Sequence, residues 1–449
     1  FIMPTLELFD QQLLTDIQNH PSPFVHIIII ATKPDIIKQA PLYQELIKRD
    51  QAVLICHTGQ HYDFRYSGGM EEEFGLKVGA HLSIDGNLHT KIAQIIERFG
   101  EVLTHLKSIN KIPIPYIHGD TMTCMAVGLS SIMHQVSCVH VEAGIRTLTP
   151  KAEIYHKFYN DFKNNQFNWD EYYHAIQNPD NLELGSLEPF PEQINTRMSE
   201  PASGFYATPV ELTKQFLINE GFVADKIQVV GNTVADATFT AIQDSQKSTI
   251  FEKYPALMSG QFIRFCVHRR ENTQDQKRFI ILFEAMEKLV QAGQSVLLIS
   301  LFATEEAIDK FGLRDRLNQL VDNYPETFIY SDVWPHYYDV IAAMQKCSAI
   351  ATDSGSMQEE MNILGIPCVT LRFGSDRGET FIAGSNVPAP PIDSDFIVAI
   401  IQGAINNQQM KQVGNIYGTN VSAKIIEQVL ERLHPETGLF QTEEQRLGF

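Results

Sequence analysis

The sequence predicts an α/β protein built from two doubly wound domains. Three observations carry this. Continuous β-branched runs such as VHIIIIA (Val25 to Ala31) read as strands covered on both faces, as in a parallel sheet. These runs alternate with segments of helical spacing, a pattern that calls for crossover connections and helices on both faces of a sheet. The alternation restarts after about residue 230, and 449 residues suffice for two or three domains.

Taken in order, the first series opens with a short amphipathic helical stretch that stops at Pro21 to Pro23. The strand VHIIIIA follows, then the helix-like IIKQAPLYQELIKRD and the strand AVLICHT. IPIPYIHGD, a helix through Met125 to Met133, and VSCVHVEAG complete it. The second series runs FIRFCVH, a helix, SVLLIS, TFIYSDV, a helix, SAIATDS, a helix and PCVTLR, with no repeat of the first.

The formal net charge of −19 opposes non-specific binding to nucleic acid or to an anionic membrane. It leaves room for an anionic small ligand, because a few arginines can reverse the local field. The 6 cysteines are scattered without a C-x-x-C pair and read as buried thiols in a reducing compartment. No apolar run approaches the ~20 residues that span a bilayer. The first twenty residues carry Glu7 and Asp10 and no basic region, unlike a secretory signal. A cytoplasmic setting is expected.

Open parallel sheets bind ligands beyond the carboxyl ends of their strands. The groups just after each apolar run are Lys33, Asp35 and Lys38, then Gln60, His61 and Asp63, then Asp120, Glu142 and Arg146. In the second series they are His268, Arg269, Arg270 and Glu271, then Asp353 to Ser356 with Glu360, and Arg377. Asp353-Ser354-Gly355-Ser356 reads as a tight turn into a helix, whose free N–H groups suit an anion. Each residue alone has a plainer reading: Glu142 as a polar loop group, His140 as a hydrogen-bonded core residue, Glu192 as a first-turn helix carboxylate, Arg377 as a solvated loop arginine. Their recurrence at nearly every strand end favours a site.

Together these stretches resemble the non-hydrolysing UDP-N-acetylglucosamine 2-epimerases. ATKPDIIKQAPL, TGQHYD, HGDT, HVEAGIRT, PFPEQINTR, VVGNTVADA, HRREN, DSGSMQEE and LRFGSDRGET fall in that family's order between roughly Val25 and Leu433. The resemblance implies two Rossmann-like domains in a GT-B-like arrangement, with the active site in the interdomain cleft. Residues 1–230 would form the first domain, 231–418 the UDP-binding second domain, and 419–449 a helix returning to the first. Asp120, Glu142, Glu192 and His268 would be catalytic. Lys33, Lys38, Arg146, Arg269, Ser354, Gly355, Ser356, Glu360 and Arg377 would hold the UDP-sugar.

The implied reaction is C2 epimerisation of UDP-N-acetylglucosamine to UDP-N-acetylmannosamine, for cell-surface polysaccharide. UDP leaves to give 2-acetamidoglucal and then adds back, with no metal and no redox cofactor. The C2 hydrogen is weakly acidic, so elimination needs a base near C2 and a stabilised diphosphate. A homodimer is implied. Three alternatives stay open: the same chemistry on a modified UDP-2-acetamido sugar such as a diacetamido-uronic acid, a GT-B-type glycosyltransferase, and a UDP-sugar-binding sensor.

Ala31, Lys33 and Asp35 depart from the family's Gly, Arg and Glu; Thr196, Ser356 and Gly378 depart from its Arg, Gly and Pro. The largest departure is an insertion over about 150–188, rich in Tyr, Phe and Asn. It reads either as a helical excursion of the first domain packed on the surface, or as a lid or dimer contact beside the sugar.

Overall fold

The computed structural model describes residues 8–59 and 68–448, and every count or absence given below is of these. Gln60, His61 and Asp63 lie outside them. The chain divides into two compact units. The first takes the chain up to Ile145, Pro191–Ala237 and the tail from Tyr417; the second takes Arg146–Phe190 and Thr238–Ile416.

The strands are β1 (Phe24–Ile30), β2 (Val53–His57), β3 (Val78–His81), β4 (Ile112–His118), β5 (Cys138–Val141), β6 (Thr149–Pro150), β7 (Leu182–Glu183), β8 (Ser203–Thr208) and β9 (Ile227–Val229). They continue as β10 (Phe262–Cys266), β11 (Ser295–Ile299), β12 (Phe328–Ser331), β13 (Ala349–Thr352), β14 (Cys368–Thr370) and β15 (Asn386–Pro388). The first unit's sheet has the order β3-β2-β1-β4-β5-β8-β9, and the second's β12-β11-β10-β13-β14-β15. All neighbouring strands in both sheets are parallel. β6 and β7 form a small antiparallel ladder of their own.

Each sheet reverses its winding once, between β1 and β4 and between β10 and β13. Crevices at such reversals are where open α/β sheets bind ligands. Strand β1 shows why the sheet is buried on both faces: Val25 to Ile30 are all at or below 2% exposure. Val25, Ile27 and Ile29 pack with Leu54, Phe99 and Leu103 under the helix Leu88–Ser108. Gln11–Asn19 forms the short helix ahead of β1.

The tail returns to the first unit through a close backbone crossing. Gly231 sits at φ +102°, and a Cβ there would strike the Tyr417 carbonyl. Asn232 N–H donates to that carbonyl at 2.9 Å. The Asp236 carboxylate then accepts from the N–H groups of Val421 (3.1 Å) and Ser422 (2.8 Å), which anchors the start of the helix Val421–Leu430.

The insertion groups with the second unit instead of the first. It supplies part of that unit's core. The helices Ala152–Lys163 and Trp169–Gln177 place Phe158, Tyr172, Tyr173 and Ile176, all at or below 3% exposure, in one cluster with Phe265, Phe396 and Ile400. The hydroxyls of Tyr172 and Tyr173 donate to the carbonyls of Pro388 (2.7 Å) and Gly384 (3.0 Å), so their polar ends are satisfied inside. All 6 cysteines are free and buried. Among the described residues no helix is long and apolar enough to cross a membrane.

Candidate active site

In the first unit the site begins at the reversal between β1 and β4. Thr32 precedes the helix Lys33–Lys48, and the Asp35 carboxylate in its first turn accepts from Thr32 N–H (3.1 Å) and Oγ1 (3.0 Å). Its other oxygen lies 3.3 Å from Nδ1 of His118, the last residue of β4. His118 Nε2 lies 2.6 Å from Oε2 of Glu142, directly after β5. Lys38 Nζ, one turn along the helix, donates to the same oxygen at 2.6 Å.

An imidazole whose two nitrogens both face carboxylates can donate to both only as the cation. Burial would lower the His118 pKa, but the Glu142 charge and the bonds to Asp35 and Glu142 override it and raise it to about 9. The cluster is buried: the side chains of Lys38 and Glu142 are each 1% exposed. Lys38 and His118 thus flank one buried carboxylate, an arrangement that favours its charged form. Glu142 also takes a left-handed backbone, φ +63°, uncommon for a residue with a Cβ.

The turn after β4 carries Asp120, which is buried. Asn195 Nδ2 donates to the Asp120 carbonyl at 3.1 Å, so the helix Glu192–Ser199, opened by Glu192, is held against this turn. Thr196 is wholly buried and reaches Glu200, whose Oε1 accepts from Gly144 N–H at 3.2 Å. Thr196 thus braces the loop behind Glu142. His140 is a core residue, 2.8 Å from the Gly119 carbonyl.

In the second unit Asp353, just past β13, organises the turn after β10. Its carboxylate accepts from the N–H groups of His268 (3.0 Å) and Arg269 (3.0 Å) and from Asn272 Nδ2 (3.0 Å). His268 keeps a third of its side chain (32%) exposed, with Nδ1 3.3 Å from Asp353. Its pKa is lowered, first by desolvation and then by Arg269, Arg264 and Arg372, against the pull of Asp353. Arg270 points to solvent.

Gly355 opens the helix Gly355–Leu364, with Ser354 before it. A Cβ on Gly355 would lie 3.2 Å from Asp376 Oδ2, 3.5 Å from Arg269 Nη2 and 3.6 Å from Arg377 Cζ. The first N–H groups of this helix therefore sit beside two guanidiniums, a combination suited to an anion. Arg377 is held by Glu359 (Nε to Oε1, 2.5 Å) and Asp376 (Nη1 to Oδ2, 3.1 Å). Arg372 Nη1 donates to Asp376 Oδ1 at 2.6 Å. Desolvation opposes ionisation of Asp376, yet Arg372, Arg377 and Arg269 hold it well below the usual carboxylate range. Glu360 accepts from the Tyr337 hydroxyl at 3.1 Å.

The structure therefore brings Lys38 and Glu142 into contact, joins Asp120 to the Glu192 helix, and gathers Arg269, Gly355 and Arg377. Lys33 opens its helix half-buried, Ser354 and Ser356 are half-buried, and Arg146 is buried at the start of the second unit. Sequence reasoning missed His118, Asp353 as an organiser, and Glu200. His118 carried a signal, since it ends an apolar run. Among the described residues no three His, Cys, Asp or Glu are grouped as metal ligands.

The family model for UDP-N-acetylglucosamine 2-epimerase matches residues 44–156 and 185–431. The chain belongs to this family. The unmatched residues between the two segments are the core of the insertion. The activity class is epimerisation, an isomerase reaction. The chain is 26% identical over 367 residues to the UDP-N-acetylglucosamine 2-epimerase of Methanocaldococcus jannaschii, covering 80% of this chain and 87% of that protein. It is 25% identical over 416 residues to the UDP-2,3-diacetamido-2,3-dideoxy-D-glucuronate 2-epimerase of Pseudomonas aeruginosa, covering 91% and 99%. In fold it is similar to the crystal structure of the Methanocaldococcus jannaschii UDP-GlcNAc 2-epimerase in complex with UDP-GlcNAc and UDP: TM-score 0.74, 24% identity, 91% of this chain and 99% of that one.

Proposed function

We propose that this epimerase inverts C2 of UDP-N-acetylglucosamine to give UDP-N-acetylmannosamine, by eliminating UDP to 2-acetamidoglucal and adding it back. The observation that carries the reading is the Glu142 carboxylate fixed between Lys38 and His118. A proton can be taken up or returned there by a group already in contact with two proton carriers. Asp120 and Glu192 complete the acid–base set, one carboxylate removing the C2 proton and another returning it on the opposite face. His268, Arg269, Arg377 and the Ser354-Gly355-Ser356 turn hold the departing diphosphate, where charge builds up during elimination. Glu360 holds the ribose diol; Lys33, Lys38 and Arg146 contact the sugar and phosphates. The working form is a homodimer in the cytoplasm.

The second reading is the same chemistry on a diacetamido-uronic acid. The Pseudomonas aeruginosa relative acts on such a sugar and covers nearly the whole chain. Proton NMR in D2O with each UDP-sugar tests both. Deuterium at C2 with a new manno signal from UDP-N-acetylglucosamine supports the first. Exchange only with the uronic acid selects the second. Free UDP with N-acetylmannosamine, or no exchange with either, overturns both.

A further inference from the structure

We propose that the start of the inserted segment, together with Leu148 and Thr149 just before it, is a positioning element for the arginine loop Arg372–Arg377, and that the Tyr155 hydroxyl is its key hydrogen bond. This rests on the reading of Arg377 as a diphosphate-binding residue. The loop has no regular secondary structure to hold it, and the residues that reach it, Leu148 and Tyr155, lead into and open the insertion, within the part that the family model matches.

The contacts are specific and lie within one unit. Leu148 and Ser375 exchange both backbone hydrogen bonds, 2.9 Å each, as an antiparallel bridge. Ser375 Oγ accepts from Arg377 N–H at 2.8 Å and donates to Gln358 at 2.6 Å. The bridge thus reaches Arg377 through one residue. The Tyr155 hydroxyl, on the first inserted helix, donates to the Phe373 carbonyl, and the two rings meet edge to face at 6.3 Å. The Arg278 guanidinium lies 4.9 Å from the Phe373 ring centroid and pairs with Glu188 at 2.9 Å. Thr147 Oγ1 donates to the Glu188 carbonyl at 2.7 Å, so the two ends of the insertion are tied together.

The loop is shaped to receive this segment. A Cβ on Gly374 would strike Thr149 and the Leu148 carbonyl, and one on Gly378 would lie 2.6 Å from the Leu148 side chain. Glycines on both sides of Arg377 let the stretch leading into the insertion press directly on the loop backbone. Gly378 is also a departure from the family's proline, in keeping with a seat made for Leu148.

The test titrates UDP calorimetrically into wild type, Tyr155→Phe, Arg377→Ala, the double variant and Tyr159→Phe. Tyr159 is the control: it lies on the same helix, but its hydroxyl reaches Asp393 at 3.1 Å instead of the arginine loop. Tyr155→Phe is expected to weaken UDP about threefold to tenfold, the range for one neutral hydrogen bond. KM should rise while kcat holds, Tyr159→Phe should bind as wild type, and the double variant should match Arg377→Ala alone. Gly374→Ala, which pushes the segment away from the loop side, should repeat the Tyr155→Phe result. Wild-type UDP affinity in Tyr155→Phe, with Arg377→Ala weakened, overturns the positioning role and leaves the reading of Arg377 standing. Equal losses in both tyrosine variants would mean that the segment acts through stability, which also overturns it. Wild-type affinity in Arg377→Ala removes the reading of Arg377 and the inference with it.

Discussion

The His118 imidazolium makes a prediction about pH. Its pKa stands at about 9 against 6.5 for the free side chain. A pKa raised by folding contributes stability that is complete below pH 6.5 and lost as pH rises through about 9. The difference converts to roughly 3 kcal/mol at 1.36 kcal/mol per pH unit. The side chain is 7% exposed, so solvent screens little of it. His118→Asn abolishes this term. The stability gap between wild type and variant should therefore narrow by about 2–3 kcal/mol between pH 6 and pH 10. Both tryptophans, Trp169 and Trp334, lie in the second unit, so tryptophan fluorescence does not report on the first. Urea unfolding should instead be read by pulse proteolysis and mass spectrometry of peptides that span β4 and β5. Parallel pH profiles for the two proteins would show that folding does not raise the His118 pKa, and the charge assignment to the Glu142 cluster would be refuted.

Three further outcomes follow from the geometry. Glu142→Gln and Asp120→Asn should each lower kcat about a hundredfold or more while UDP affinity holds, and near-normal turnover in both would remove their acid–base role. His268→Ala and Arg377→Ala should weaken UDP by about 1.5–3 kcal/mol each by calorimetry, the range for hydrogen bonds to charged groups. Tyr172→Ala empties a fully buried site in the second unit's core and should cost about 3–5 kcal/mol, as for other large aromatic truncations; a loss below 1 kcal/mol in denaturant titration would mean that the inserted helices are not part of that core.

The strands legible in the sequence were those buried on both faces. VHIIIIA, IPIPYIHGD and FIRFCVH stand out because unbroken apolar runs have no other use at that length. β3 (VGAH) and β8 (SGFYAT) are missed because small and polar residues fill them, although all six residues of β8 are buried. The insertion shows the limit of an amphipathic pattern. Periodicity marks which face of Ala152–Lys163 is buried, but not which domain covers it, and Phe396 lies more than two hundred residues away. The site was legible as residue types at strand ends. It was not legible as contacts: His57, His118 and His140 all sit in or at the end of strands, and only the distance from His118 to Glu142 separates a charged partner from a core histidine such as His140.

Asp376 stands among the arginines of the second unit. Arg269, Arg372 and Arg377 converge near the start of the helix Gly355–Leu364, and three guanidiniums so close would repel one another. Asp376 contacts all three, at 3.9, 2.6 and 3.1 Å. Asp376→Asn keeps the shape and removes the charge, with two opposed effects. The local potential becomes more positive, which favours a diphosphate. The arginines lose one group that aims them, while Arg377 keeps Glu359, and breaking a buried ion pair costs about 3–5 kcal/mol of stability. Desolvation raises the pKa of nearby Glu271 against the pull of Arg372. The aim should outweigh the potential, because a guanidinium turned away gains nothing from its charge. Asp376→Asn should therefore bind UDP more weakly than wild type at both low and high salt. An affinity that rises at low salt in a folded variant would mean that the arginines stay aimed without Asp376, and that this carboxylate only balances charge.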